Sequence, residues 1–367
     1  MNAATEPARP PSPHGAGRRQ AAFGFIFASA VMNNLSFGLM IPVLPNLIRS
    51  FFGATSAAST ASAAEWQAIF GVTWGLMQFV SGPVLGMLSD RFGRRPVLLI
   101  SIFGLSLDFL VMTFAPTLAW LLLGRVLNGA TAASFSTANA YVADISTPDK
   151  RARNFGFMSS AFSIGFLFGP VVGGFLASHP VSIGAFHLDG LRTPFLVAAL
   201  ICAVNWVYGL FVLPESLPPE RRRPFVPKAA TPWKAFRGLA ELQGVGRLVA
   251  VIACNGLAQF VLYTTWVLYT TFKFGWGPRE NGWSLAAVGV VSAFTQGLLL
   301  GRLLKRFGVR RLAVMGLTSS LAAYLLWGAA TEGWMLIAVI FSNVLGATVQ
   351  ASIQSIISSA ADPRSQG

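Results

Sequence analysis

Ten stretches of this chain are each long and apolar enough to cross a lipid bilayer. They lie at 23–48, 66–88, 96–115, 118–142, 154–177, 194–213, 247–272, 282–304, 312–330 and 333–357. A spanning helix needs roughly 20 apolar residues. Lipid offers no partner to an open backbone group, so a chain of this pattern is read as an all-α polytopic membrane protein. Composition agrees. Only 11% of the residues are charged, against about 25% in soluble domains.

The net charge of +14 suggests nucleic acid at first sight. Its placement argues otherwise, because the basic residues sit in alternate connectors rather than on one face. With the N-terminus inside, 22 Lys and Arg residues fall on the cytoplasmic side. The opposite side has four, Arg49, Arg192, Lys273 and Arg279, and Arg125 lies within a span. This asymmetry predicts an N-in orientation in a cell (inner) membrane. Cys202 and Cys254 lie in apolar runs and are read as packing residues rather than a disulfide.

The densest charge cluster is Gly86-Met87-Leu88-Ser89-Asp90-Arg91-Phe92-Gly93-Arg94-Arg95-Pro96, between the second and third spans. It is echoed 215 residues later by Gly301-Arg302-Leu303-Leu304-Lys305-Arg306-Phe307-Gly308-Val309-Arg310-Arg311. The longest polar connector, rich in Pro and Arg, separates six spans from four. Together these predict a parallel internal repeat of a six-helix unit. The expected layout is a disordered cytoplasmic tail at 1–22, a six-helix bundle at 23–213, a cytoplasmic linker at 214–246, and a second bundle at 247–367. The second bundle holds four helices, so the chain is expected to be truncated.

Further motifs carry a family resemblance. The first span holds Gly38-Leu39-Met40-Ile41-Pro42-Val43-Leu44-Pro45. The fourth holds Gly124-Arg125-Val126-Leu127-Asn128-Gly129 and ends in Ala143-Asp144-Ile145. The fifth carries Gly165-Phe166-Leu167-Phe168-Gly169-Pro170-Val171-Val172-Gly173-Gly174, and the sixth closes on Leu213-Pro214-Glu215-Ser216. In this order and spacing the chain resembles the major facilitator superfamily, in its drug:proton antiporter branch, near the tetracycline-efflux-like transporters. The resemblance implies two six-helix bundles, no cofactor, and proton-coupled efflux of a tetracycline-type or other lipophilic small molecule by alternating access. It also implies that 86–96 is a gating loop, with Gly86, Asp90, Arg91, Gly93, Arg94, Arg95 and Asp144 as its working residues. In that picture Asp90 latches the outward-open state against an eleventh helix. Gly165, Gly169, Pro170, Gly173 and Gly174 form the antiporter motif that seals the cavity. Tetracycline antiporters carry an acid in the first helix, a histidine in the eighth and an acid in the ninth. Those positions hold Asn33, Ser292 and Ser320 here, which leaves the substrate open.

Asp108 is the only carboxylate well inside a span, and Arg125 the only base. A charge at mid-bilayer costs about 2.5–3.5 kcal/mol on insertion scales. The turn Ala115-Pro116-Thr117 joins their helices, so both lie at about 10 Å depth by helical rise. Equal depth on neighbouring antiparallel helices permits an ion pair. That pair is either static or placed so that Arg125 faces the cavity and tunes a protonatable partner. Asn33, Asn34, Gln78, Asn128, Asn255 and Gln259 are candidate cavity residues, or else interhelical hydrogen-bonding groups. Phe37, Trp74, Phe135, Tyr263 and Trp266 are candidates to stack on a flat ligand. The 165/169/173 glycine stripe is expected at the interface between the halves. Asp90 is expected at a helix N-terminus, where the macrodipole favours an anion. Arg91, Arg94 and Arg95 are expected to meet phosphates or Asp144.

No enzyme signature and no phosphate-binding loop occur in the sequence. His14, His179 and His187 lack metal spacing. The expected partners are a small-molecule substrate, protons and lipid, with no nucleic acid, no metal, and a monomeric state. The alternatives are a facilitator of another metabolite, an inactive truncated product, or a non-transporting membrane protein.

Overall fold

The computed structural model describes residues 13–53, 57–131, 134–146, 148–183, 186–222 and 246–360. The first residues of the expected tail, most of the linker and the last residues of the chain lie outside these. The first half contains α1 (Pro13–Met40), α2 (Leu44–Ser50), α3 (Ala57–Phe92), α4 (Arg94–Phe114), α5 (Leu118–Thr131), α6 (Ser134–Ile145), α7 (Pro148–Ala177) and α8 (Thr193–Val212). The second contains α9 (Gly246–Phe274), α10 (Pro278–Phe294), α11 (Leu300–Phe307), α12 (Val309–Ala329), α13 (Gly333–Ser342) and α14 (Val349–Ala360).

Among the described residues, seven helices are long and apolar enough to span a bilayer, or eight if the bent pair at the end is one span. The other two expected spans are also helical. One is α5 with α6, on either side of 132–133, which lie outside the described residues. The other is α9, a single helix of 29 residues. Helix α1 starts at Pro13, inside the segment expected to be a tail. Proline is tolerated in a first turn because its missing N–H has no intrahelical partner there.

Breaks fall where the chemistry allows them. Ile41–Val43 interrupt the first span around Pro42. The eighth span passes from α10 into α11 through a π-helical turn at Thr295–Leu299. The last span bends by 53° between α13 and α14, next to Asn343, whose Oδ1 accepts the Ser319 hydroxyl at 2.8 Å. A short antiparallel hairpin, β1 (Val181–Ile183) and β2 (Phe186–Leu188), joins α7 to α8 and pairs Val181 with Leu188.

The repeat is visible in the backbone. Gly93 alone separates α3 from α4, at φ +106°, and Gly308 alone separates α11 from α12, at φ +74°. Only glycine adopts this region without steric cost. In the first half α1 packs on α7 and α8, and α4 packs on α5 and α8. A core of Leu39, Leu47, Phe70, Phe109, Met112 and Phe195 lies among them, each 1% exposed or less.

The halves meet through α7 on α10 and α3 on α9. Toward the hairpin end the backbones nearly touch. A Cβ on Gly282 would stand 2.5 Å from the Pro170 carbonyl oxygen, and one on Gly289 3.1 Å from Leu167 Cα. Toward the other end, Gly82, Gly86, Gly297 and Gly301 have nothing within 4 Å of a Cβ position.

Candidate functional site

The turn after α4 sends α5 back antiparallel to it, which brings Asp108 and Arg125 face to face. Arg125 Nη2–H donates to Asp108 Oδ2 in a buried ion pair. Asn128, one turn further along α5, donates its Nδ2–H to the same oxygen at 2.8 Å. Trp74 on α3 in turn donates its indole N–H to Asn128 Oδ1, also at 2.8 Å. Two thioethers flank the guanidinium: Met40 Sδ lies 3.2 Å from Nη1, and Met112 Sδ 2.9 Å from Nη2. Asp108 is 0% exposed, Arg125 4% and Asn128 9%.

Sequence reasoning missed Gly124 in this cluster. A Cβ there would stand 2.5 Å from Asp108 Oδ1, so the glycine makes the carboxylate's place. The signal was its position next to the one basic residue within a span.

Arg125 opens onto a cavity between the halves. Phe37, Phe70, Trp74, Phe162, Phe260 and Tyr263 form much of its aromatic wall. It encloses about 950 Å³ of space, its mouth included. Asp108 lies behind Arg125, out of contact with this space. A second cavity, within the second half, shares Tyr263 with the first. Gln259, Ser292, Ser320 and Asn343 supply its polar groups, and Trp266, Tyr324 and Trp327 its aromatic ones. No lining residue of that second cavity carries a formal charge. Arg125 is the single charged group lining either cavity.

The other expected cavity residues fall elsewhere. Asn33 faces a separate pocket inside the first half, beside Ser29 and Met158. Asn34 turns back to bond the Ala30 carbonyl of its own helix at 2.7 Å. Gln78 and Asn255 are half-buried and lie outside the residues lining the two larger cavities. The side chain of Phe135 lies outside the described residues.

The glycine stripe of α7 also differs from expectation. Gly165, Gly169 and Gly173 face α1 of the same half, where Cβ atoms would run into Asn34, Gly38 and Leu39. Contact with the other half is made by Gly174, against Pro278, and by the Pro170 carbonyl, against Gly282. A spacing of four gives one narrow face, and α1 takes it. The residues between the glycines reach α10.

In the 86–96 loop, Arg94 gathers the acids. Its Nη1 lies 2.6 Å from Asp90 Oδ1 and its Nε 3.3 Å from Asp144 Oδ2. Ser216 Oγ–H also donates to Asp144 Oδ2, at 3.2 Å. Arg91 instead stacks on Phe92, and Arg95 Nη2–H donates to the Leu210 carbonyl near the end of α8. Among the described residues Asp90 caps no neighbouring helix, and its carboxylate is held by Arg94 instead. The capping place is taken by Glu215, whose carboxylate accepts the backbone N–H groups of Arg94, at 2.8 Å, and Arg95, at 3.3 Å. Glu215 satisfies orphan donors at the start of α4. Its sequence signal was an acid just past a helix end.

The profile of the Major Facilitator Superfamily matches residues 26–367. The class C tetracycline resistance protein of Escherichia coli is 35% identical over 342 residues, covering 93% of this chain and 82% of that protein. Multidrug resistance protein 2 of Bacillus subtilis is 27% identical over 300 residues, covering 80% and 69%. Among solved structures, a bacterial homolog of the human lysosomal transporter Spinster, inward-facing and unoccupied, superposes with a TM-score of 0.74 at 19% identity. The match covers 97% of this chain and 78% of that one. The human organic anion transporter MFSD10 superposes at 0.66 with 23% identity, covering 95% and 86%. These two structures share the fold. By the profile, by its relatives and by its paired bundles, the chain belongs to the major facilitator superfamily, as a multi-pass membrane transporter of small molecules related to the tetracycline resistance proteins.

Proposed function

We propose that this chain is a proton-coupled exporter of planar, lipophilic, drug-like compounds, working as a monomer by alternating access in the inner membrane with its N-terminus in the cytoplasm. The observation that carries the reading is the Asp108–Arg125 pair, buried directly behind an aromatic cavity that separates the two halves. A proton on Asp108 removes the counter-charge of Arg125 and so changes the field at the cavity wall. Burial of the pair in low dielectric makes that change large.

The orientation is supported by the basic residues of alternate connectors. With it, the separated ends of the halves face the cytoplasm and the closed ends face outward. The uncharged second cavity favours a neutral ligand held by stacking and hydrogen bonds over a multiply charged one. Ser292 and Ser320 both line that cavity. This favours a substrate range distinct from that of the tetracycline resistance proteins, with tetracycline one compound to test among several.

The test is a drug-susceptibility panel in an efflux-deficient host, with and without a protonophore. Resistance to a subset of planar compounds that collapses with the protonophore is the expected outcome. Unchanged susceptibility to every compound counts against export.

A further inference from the structure

Asp108 is fully buried, so nothing in the cavity can touch it. Besides Arg125 itself, which lines the cavity and pairs with Asp108, a second polar path joins the two. Trp74 is half-buried and lines the cavity beside Phe37, with ring centroids 6.5 Å apart. Its indole N–H reaches Asn128 Oδ1, and Asn128 Nδ2–H reaches Asp108 Oδ2, each at 2.8 Å.

The chemistry fixes the direction of this path. An indole N–H only donates and an ionised carboxylate only accepts. The Asn128 amide therefore has one orientation that satisfies both, and the reverse orientation satisfies neither.

We propose that Asn128 and Trp74 are positioning residues that carry the protonation state of Asp108 to the cavity wall. The inference rests on the proton-coupled reading above. Hydrogen bonds in a chain polarise one another. While Asp108 is charged, the amide that donates to it carries more negative charge on Oδ1 and holds the indole N–H more strongly. When Asp108 takes a proton, Asn128 loses its anionic acceptor and its grip on Trp74 slackens. The aromatic face offered to a ligand is then less firmly held. Among the described residues, two charged or titratable groups face Asp108. Arg125 on α5 lies in direct contact, and the buried Cys202 thiol on α8, 3.4 Å from Ser36 Oγ, lies further off.

The test uses the full chain in lipid nanodiscs, with tryptophan labelled by nitrogen-15 at the indole. The Trp74 resonance is assigned by its loss in Trp74→Phe. In the wild type its proton shift is expected to move upfield in a single sigmoid as pH falls. The sigmoid is expected to vanish in Asp108→Asn. It is also expected to vanish in Asn128→Ala, which cuts the path and leaves the Asp108–Arg125 pair in place. A Trp74 resonance that stays flat in the wild type across the pH range over which export varies overturns the relay, as does one that titrates unchanged in Asn128→Ala. Export indifferent to Asp108→Asn overturns the proton-coupled reading on which the relay depends, whatever the resonance does.

Discussion

The carboxylate of Glu215 occupies the space that a side chain on Gly93 would need. The end of the sixth span therefore bolts onto the turn between the second and third, through the backbone N–H groups of Arg94 and Arg95. Gly93→Ala is expected to suffer twice, from its positive φ and from collision with Glu215. The φ term alone is roughly 1–3 kcal/mol. Glu215→Ala removes an exposed cap worth at most about 1 kcal/mol. In the double variant the collision is gone, so the combined loss should fall short of the sum. Thermal unfolding of purified protein in detergent, over the four members of the cycle, measures this.

Asp108→Asn is expected to abolish coupled export while the protein still inserts and purifies. Asp108→Ala should also lower stability, by roughly 3–5 kcal/mol, because it strands a buried guanidinium. Gly124→Ala gives a sharper comparison. It keeps every ionisable group, yet its methyl meets Asp108 Oδ1, so export should drop as it does in Asp108→Asn. Full export by Gly124→Ala would show that the carboxylate has room to move.

The two glycine faces of α7 should separate by phenotype. Gly169→Leu invades α1 within one half and is expected to reduce the amount of folded protein. Gly282→Val invades the contact between the halves at Pro170. It should leave the folded yield near normal while export falls and cavity residues gain reactivity from the hairpin side. Labelling of a cysteine placed at Thr264, in membranes, reads that reactivity.

Charge restored to the second cavity should change selection. Ser320→Asp puts a carboxylate among Trp266, Tyr324 and Trp327. Export of cationic planar compounds is expected to rise relative to neutral ones, measured as a ratio of inhibitory concentrations in the same host. A ratio that stays put would place the ligand elsewhere.

The spans, the repeat and the Asp108–Arg125 pair were legible in the sequence because each follows from one-dimensional quantities: length, apolarity, charge, and distance from a turn. What was not legible depends on rotation about a helix axis. The stripe at 165, 169 and 173 declares a smooth face, but α1 and α10 both lie within its reach, and spacing does not choose between them. Asn33 and Asn34 are adjacent, and rotation sends one to an inner pocket and the other back to its own backbone. Gln259 reaches the second cavity because its helix exposes that sector, whereas Asn128 stays behind Trp74, bonded to Asp108. Glu215 was hidden for another reason. A carboxylate that caps backbone N–H groups leaves no trace in the identity of the residues it serves.

The single-glycine joints have a mechanical consequence. With one residue between α3 and α4, and one between α11 and α12, neither pair can slide along its length, and pivoting is the freedom that remains. Each joint is then a fulcrum. At 1.5 Å per residue a 21-residue helix such as α4 is a lever about 30 Å long. A tilt of about 10° at the glycine sweeps the far end through about 5 Å, comparable to a full helical turn. A small displacement among Arg94, Asp144 and Glu215 is thereby magnified across the thickness of the bilayer.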